Sequence, residues 1–144
     1  MTYKMYTDGG CRQWLGIAGG GVYIVDQEGN QQKQSLFFKN KTSNEAEFLA
    51  LIYGLDYIPC PTPHCSDPKS CRRRVSIFSD SKLMVNLVNG KWKAHKKEII
   101  ELTQFAQRKL NTCFQWELSW IPRELNEIAD SLADEAMDIS GVTI

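Results

Sequence analysis

Residues 6–10 read YTDGG: an aromatic, a small hydroxyl residue, an acid and then glycine, closing the strand-like run YKMYT at 3–7. The same order returns at 78–81, FSDS, at the end of a second strand-like run, VSIF at 75–78. Two strands that end alike, with a helical segment between them, predict an α/β sheet. The carboxyl ends of such strands converge on the crevice where α/β proteins bind ligands. Read singly, Asp8 and Asp80 are turn formers or helix caps. The echo between them points to a shared site.

The elements around this pair follow from local signals. Asp8-Gly9-Gly10 reads as a turn. Residues 21–25 run into Asp26-Gln27-Glu28-Gly29-Asn30, a hairpin signal, and 32–39 form the return strand. Thr42-x-x-Glu45 fits a capping box, opening a helix that runs to Ile58 and stops at Pro59. After the strand at 75–78 come a short helix at 82–88, halted by Asn89-Gly90, and a longer one at 98–110. A strand at 114–121 is closed by Pro122, and a last helix covers 125–137. The order β-β-β-α-β-α-α-β-α joins an antiparallel opening to parallel crossovers. It predicts one mixed sheet covered by helices, and 144 residues make one domain, 1–144.

Two further acids sit where an apolar residue is expected. On its helix Glu47 shares a stripe with Ala50, Leu51, Gly54 and Ile58, while Glu45 already complements the helix dipole. In the last helix Ile128, Ala129, Leu132, Ala133 and Ala136 form the expected buried stripe. Asp130 lies at its margin beside Asn126, and Glu127 and Asp134 are the solvated members. Four carboxylates in one pocket cannot all stay ionised without raised pKa values or cations. Oxygen-only ligands suit two Mg²⁺ or Mn²⁺ ions, which activate a water and stabilise a leaving oxygen in phosphodiester hydrolysis. No Walker P-loop, G-x-S-x-G or HExxH competes.

Composition narrows the classes. Lys plus Arg equals Asp plus Glu at 17 each, which excludes a globally polycationic nucleic-acid binder but not a local basic patch. The apolar runs are shorter than a membrane span, and MTYKMYTDGG lacks a signal-peptide core, so a soluble cytoplasmic monomer without membrane contact is expected. In that compartment the five cysteines are thiols or metal ligands before they are disulfides.

Taken together, YTDGG, TSNEAEFLAL (42–51), FSDS and WIPRELNEIADSLADEA (120–136) resemble the type 1 ribonuclease H family. The four pieces span most of the chain in the family's order. The resemblance implies an RNase H-like fold, with a five-stranded sheet in the order 3-2-1-4-5. It implies endonucleolytic cleavage of the RNA strand of RNA/DNA hybrids, leaving 5′-phosphate and 3′-hydroxyl ends. Asp8, Glu47, Asp80 and Asp130 match the family's catalytic, metal-holding carboxylates. Asp8 and Asp130 would hold the ion that activates the water, and Asp8, Glu47 and Asp80 the ion at the leaving oxygen. Gly9, Gly10 and Cys11, with Asn44 and Glu47, fall where the family reads 2′-hydroxyls, and Thr42 where it grips a DNA phosphate. Ser81 belongs to the same substrate-binding set.

Three departures mark this chain. Its loop before the last helix is short and lacks the family's histidine, leaving Arg123 or Glu124 to assist turnover. A compact stretch, GKWKAHKK at 90–97, replaces the long basic protrusion. Trp92 and Lys93 there suit stacking and phosphate contact, the alternative being a solvated helix start with Trp92 packed inward. The third departure is IPCPTPHCSDPKSC at 58–71, within an insertion at about 59–74. Cys60, His64, Cys65 and Cys71 could bind a structural Zn²⁺, although C-x3-H-C-x5-C matches no common paired layout. A disulfide within the loop, or free thiols on a proline-stiffened connector, remain open beside it. Arg72-Arg73-Arg74 at its exit reads as solubilising the strand entry, the alternative being contact with nucleic acid. The function classes that compete with a ribonuclease are a non-catalytic hybrid-binding module and a zinc-stabilised adaptor.

Overall fold

The strand that carries YTDGG does not stop at its aspartate. In the computed structural model, which describes residues 2–59 and 73–142, β1 spans Thr2–Arg12 and passes straight through Asp8-Gly9-Gly10. The expected turn there is corrected: Gly9 and Gly10 are extended and pair with Gly20 and Gly19 of β2, Ile17–Asp26. Gly9 serves close packing, not reversal. The chain turns at Gln13–Leu15, a single 3₁₀ turn ended by Gly16 at φ 65°, a left-handed conformation that favours glycine. β3, Gln31–Lys39, returns antiparallel to β2 from the expected hairpin, where Asp26 accepts hydrogen bonds from the Glu28 and Asn30 amides.

β4, Arg73–Ser79, runs parallel to β1, and β5, Phe114–Trp120, parallel to β4. The sheet order is β3-β2-β1-β4-β5, the expected 3-2-1-4-5. Three helices cover one face. α1, Ser43–Gly54, begins at the expected capping box: the Glu45 amide donates to Thr42 Oγ1, and the Thr42 amide to Glu45 Oε1. It ends sooner than expected, tightening into a 3₁₀ turn at Leu55–Tyr57 before Pro59. α2, Lys82–Val88, is capped by Ser81, and α3 spans Lys97–Cys113. Phe48, Leu51 and Leu55 of this layer close over Met5, Val22 and Ile77 as the main core. Arg73, read as a solubilising residue, turns inward instead. Its Nη1 donates to the Ile58 carbonyl at 2.6 Å and its guanidinium lies over the Phe114 ring. The residues 60–72, with the four candidate zinc ligands and Arg72, lie outside the described residues. Among the described residues no helix is long and apolar enough to cross a membrane.

The opposite face is held by α4, Glu127–Val142, packed on β2, β1 and β3. It starts later than expected because Arg123–Leu125 form a separate 3₁₀ turn and Asn126 breaks between them. Ala129, Leu132, Ala133 and Ala136 are buried as expected, but Ile128 is 42% exposed, a correction. It lies in the first turn, over an open groove beside Tyr6, Tyr23 and Val25. α4 approaches β2 so closely that a Cβ on Gly21 would stand 1.9 Å from the Ala129 carbonyl oxygen. Gly21→Ala therefore forces the helix off the sheet. We expect a loss of about 3 kcal/mol in denaturant unfolding, at the upper end of overpacking costs. Gly10→Ala, whose Cβ meets only Met137 Cε at 3.5 Å, should stay within about 0.5 kcal/mol of wild type.

Candidate active site

β1 and β4 bring the first two acids together. Their parallel pairing ends at Thr7 and Ser79, so Asp8 and Asp80 are the next residues on neighbouring strands. Beyond that point β4 no longer covers β1, and the edge of Gly9, Gly10 and Cys11 turned from β2 opens to a cleft of about 440 Å³. Glu47 arrives from α1, and Gly9 allows it: a Cβ there would lie 2.4 Å from the Glu47 amide nitrogen. Asp130 arrives from α4, which the small residues of β2 admit.

One carboxylate oxygen from each of Asp8, Glu47 and Asp80 lies within 4.8 Å of the others. Asp130 stands on the other side, near enough to Asp8 to help raise its pKa, and lines the same cleft. The sequence-predicted quartet is thus brought together. Asp8 is 7% exposed and Glu47 8%. Burial, then the Glu47 charge and the Asp130 and Asp80 carboxylates, push Asp8 up to about 10. Burial and the Asp80 charge raise Glu47 to about 7, opposed by hydrogen bonds involving Asp8, the Gly9 backbone and Ser81. Glu47 Oε1 is buried without a hydrogen-bond partner. Mutual repulsion, an orphaned buried oxygen and an all-oxygen donor set fit hard divalent cations.

The other expected residues divide. Gly9, Gly10 and Cys11 line the cleft, as does Arg123, 3.7 Å from Asp130. Glu124 instead faces the neighbouring groove with Leu125. Thr42 and Asn44 are exposed at the start of α1, outside the cleft, and Ser81 serves as the α2 cap. Trp92 is 52% exposed, so it is not packed inward. With Lys93 it stands on the basic connection between α2 and α3.

Several residues in or bracing the cleft carry no strong sequence signal, Asn126 and Trp120 from behind it and Arg12, Trp14 and Ser43 on its lining. Asn126 is buried, and its Nδ2 donates to the Thr7 carbonyl at 2.8 Å and toward Asp80 Oδ1 at 3.4 Å, tying the start of α4 to both strands. Asparagine before a helix is a cap signal, masked here because the apolar period starts the expected helix at 125, two residues before Glu127. Trp120 Nε1 donates to the Asp80 carbonyl at 3.1 Å, with Lys82 over its ring. Arg12, Trp14 and Ser43 also line the cleft, and Ser43 Oγ donates to Cys11 Sγ.

Comparison with known proteins agrees with this geometry. The reverse transcriptase-like family matches residues 6–136. The bifunctional protein Rv2228c of Mycobacterium tuberculosis is 32% identical over 140 residues, 96% of this chain but 36% of that protein. The chain therefore spans about a third of the length of this relative. A ribonuclease H of Desulforamulus reducens is 30% identical over 144 residues, covering 90% of this chain and 83% of the relative. Among solved structures, LC11-RNase H1 in complex with an RNA/DNA hybrid has a TM-score of 0.79 and 32% identity, covering 96% of this chain and 98% of that one. Match, topology and the four converging acids agree: the chain belongs to the reverse transcriptase-like family, in its type 1 ribonuclease H group.

Proposed function

We propose that the chain is a divalent-cation-dependent endonuclease that hydrolyses the RNA strand of RNA/DNA hybrids. The observation that carries this reading is the convergence of Asp8, Glu47, Asp80 and Asp130 beside an uncovered backbone edge. The hybrid-bound structure of LC11-RNase H1 supports the substrate class.

Asp8 and Asp130 would hold one cation and Asp8, Glu47 and Asp80 a second, Mg²⁺ or Mn²⁺. Such ions, when bound, supply an activated water and neutralise charge at the leaving oxygen. In the net reaction the water oxygen bonds to phosphorus and the bond from phosphorus to the 3′ oxygen breaks. That oxygen takes up a proton, leaving 5′-phosphate and 3′-hydroxyl ends. Asn126 and Trp120 hold the Asp80 segment in register during this step. The open amides and carbonyls of Gly9, Gly10 and Cys11, with Asn44, read 2′-hydroxyls in the wide minor groove of the hybrid. Thr42, at the amino end of α1, meets a DNA phosphate, as helix starts favour anions. Trp92 and Lys93 extend that contact. Arg123 partly neutralises Asp130 and assists product release where the family uses a histidine. All four acids come from one chain, which supports a monomer as the active unit.

Cleavage of a labelled RNA/DNA hybrid tests the reading. Wild type should cut with Mg²⁺ or Mn²⁺ and not in EDTA, and Asp80→Asn should lose at least about a thousandfold in rate. Equal cutting by the two proteins would remove the catalytic assignment, and binding without cutting by either would leave a hybrid-binding module. The carboxylate cluster also predicts a pH dependence of stability. Asp8 and Glu47 titrate higher when folded than when unfolded, so between about pH 4 and the folded values the unfolded chain holds fewer protons. Metal-free stability should fall as pH rises through about 7 and on toward 10. Thermal unfolding in EDTA should show this slope, Mg²⁺ should reduce it, and Asp8→Asn should flatten it and raise Tm.

A further inference from the structure

The β1–β2 turn ends in the most exposed large apolar side chain among the described residues, Trp14, at 79% exposure. It lines the carboxylate cleft on the same strand connection as Gly9 and Gly10. The turn is held rather than loose. The Gly16 amide donates to the Gln13 carbonyl at 3.1 Å, and the Gly16 carbonyl accepts from the Asn40 amide at 2.9 Å. Beside it Arg12 is engaged by Asp138 at 2.5 Å. The tip therefore presents a flat indole and not an unpaired cation. Two other tryptophans have partners for their indole nitrogens, Trp116 on Asn111 and Trp120 on the Asp80 carbonyl. Among the described residues, none forms a hydrogen bond, ring contact or cation–π contact with Trp14.

A duplex leaves no base face free for an indole, because each is stacked on its neighbours. What an RNA/DNA hybrid does expose is the row of sugars along a wide, shallow minor groove. A B-form minor groove is only about 6 Å wide and closes over its sugars. β1 rises about 3.3 Å per residue, so Arg12 stands about 13 Å from Asp8 along the strand. This places Trp14 a few nucleotides from the reacting phosphate.

We infer that Trp14 packs its indole face on a ribose of the RNA strand and thereby selects the shallow groove of a hybrid over duplex DNA. The inference rests on the ribonuclease H reading above. It assigns Trp14 a specificity role made by shape and apolar contact, without charge.

The test measures equilibrium binding in the Asp80→Asn background with Mg²⁺, for an RNA/DNA hybrid and a DNA duplex of the same sequence. Trp14→Ala should weaken hybrid binding by about tenfold, the size of one aromatic stacking contact. Binding to duplex DNA should change by less than about twofold, and Trp14→Phe should recover most of the loss. The slope of log affinity against log salt should stay that of the parent, since no phosphate contact is removed. Hybrid binding unchanged in Trp14→Ala, an equal loss on both duplexes, or a shallower salt slope would overturn the inference. Cleavage by the wild-type chain is read in parallel. A chain that neither cuts nor prefers the hybrid defeats the ribonuclease H reading itself, whereas normal cutting with any overturning result defeats only the role of Trp14.

Discussion

Two backbone contacts that only glycine permits hold the site together. At Gly9 the first turn of α1 lies against β1, and at Gly21 the backbone of α4 lies against β2. Asp8 pairs across the sheet with Gly21 and precedes Gly9 in sequence, so both close approaches centre on one carboxylate. A methyl group at either position would displace a helix, and with it Glu47 or Asp130. Backbone packing of this kind has little freedom to adjust, because close-packed interiors transmit a shift instead of absorbing it. The carboxylate cluster is therefore a direct consequence of where side chains are missing.

The cluster opposes the fold that creates it. Two buried acids with raised pKa values, close to two more carboxylates, are an electrostatic burden on the folded state. Anchors spread around the site offset it. Asn126 bridges α4 to β1 and toward Asp80, Trp120 grips the Asp80 carbonyl, and Ser81 caps α2 beside Glu47. None of these neutralises the acids; each fixes where they stand. Strain concentrated at the reacting centre and support placed around it is the usual division between a site and its scaffold.

Much of this was legible from local signals. The capping box at Thr42, the hairpin at Asp26–Asn30 and the stop at Asn89-Gly90 each depend on residues within a few positions of one another. The echo of YTDGG and FSDS located two of the acids, and Glu47 and Asp130 were conspicuous as charges on or beside apolar stripes. Errors arose where a local signal had a distant cause. Asp8-Gly9-Gly10 looks like a turn, yet it is extended strand paired with β2, and Gly9 answers to the approach of α1. Ile128 fits the apolar period of α4 but stands over an open groove beside Tyr6, Tyr23 and Val25 that no described residue fills. Arg73 looks solvated within its basic run and is instead held by the Ile58 carbonyl and the Phe114 ring.

By itself the sequence determined the elements, their order and the identity of the four acids, because helix caps, hairpins and hydrophobic periods are short-range physics. Tertiary structure decided which backbone edge opens beyond Thr7, that Asn126 and Trp120 brace the Asp80 segment, and that Trp14 stands at the rim of the cleft. Those facts depend on where β4 stops against β1 and how deeply α4 seats on β2. Such contacts join residues more than a hundred positions apart, as Asn126 to Thr7 does, and no local pattern encodes their distance.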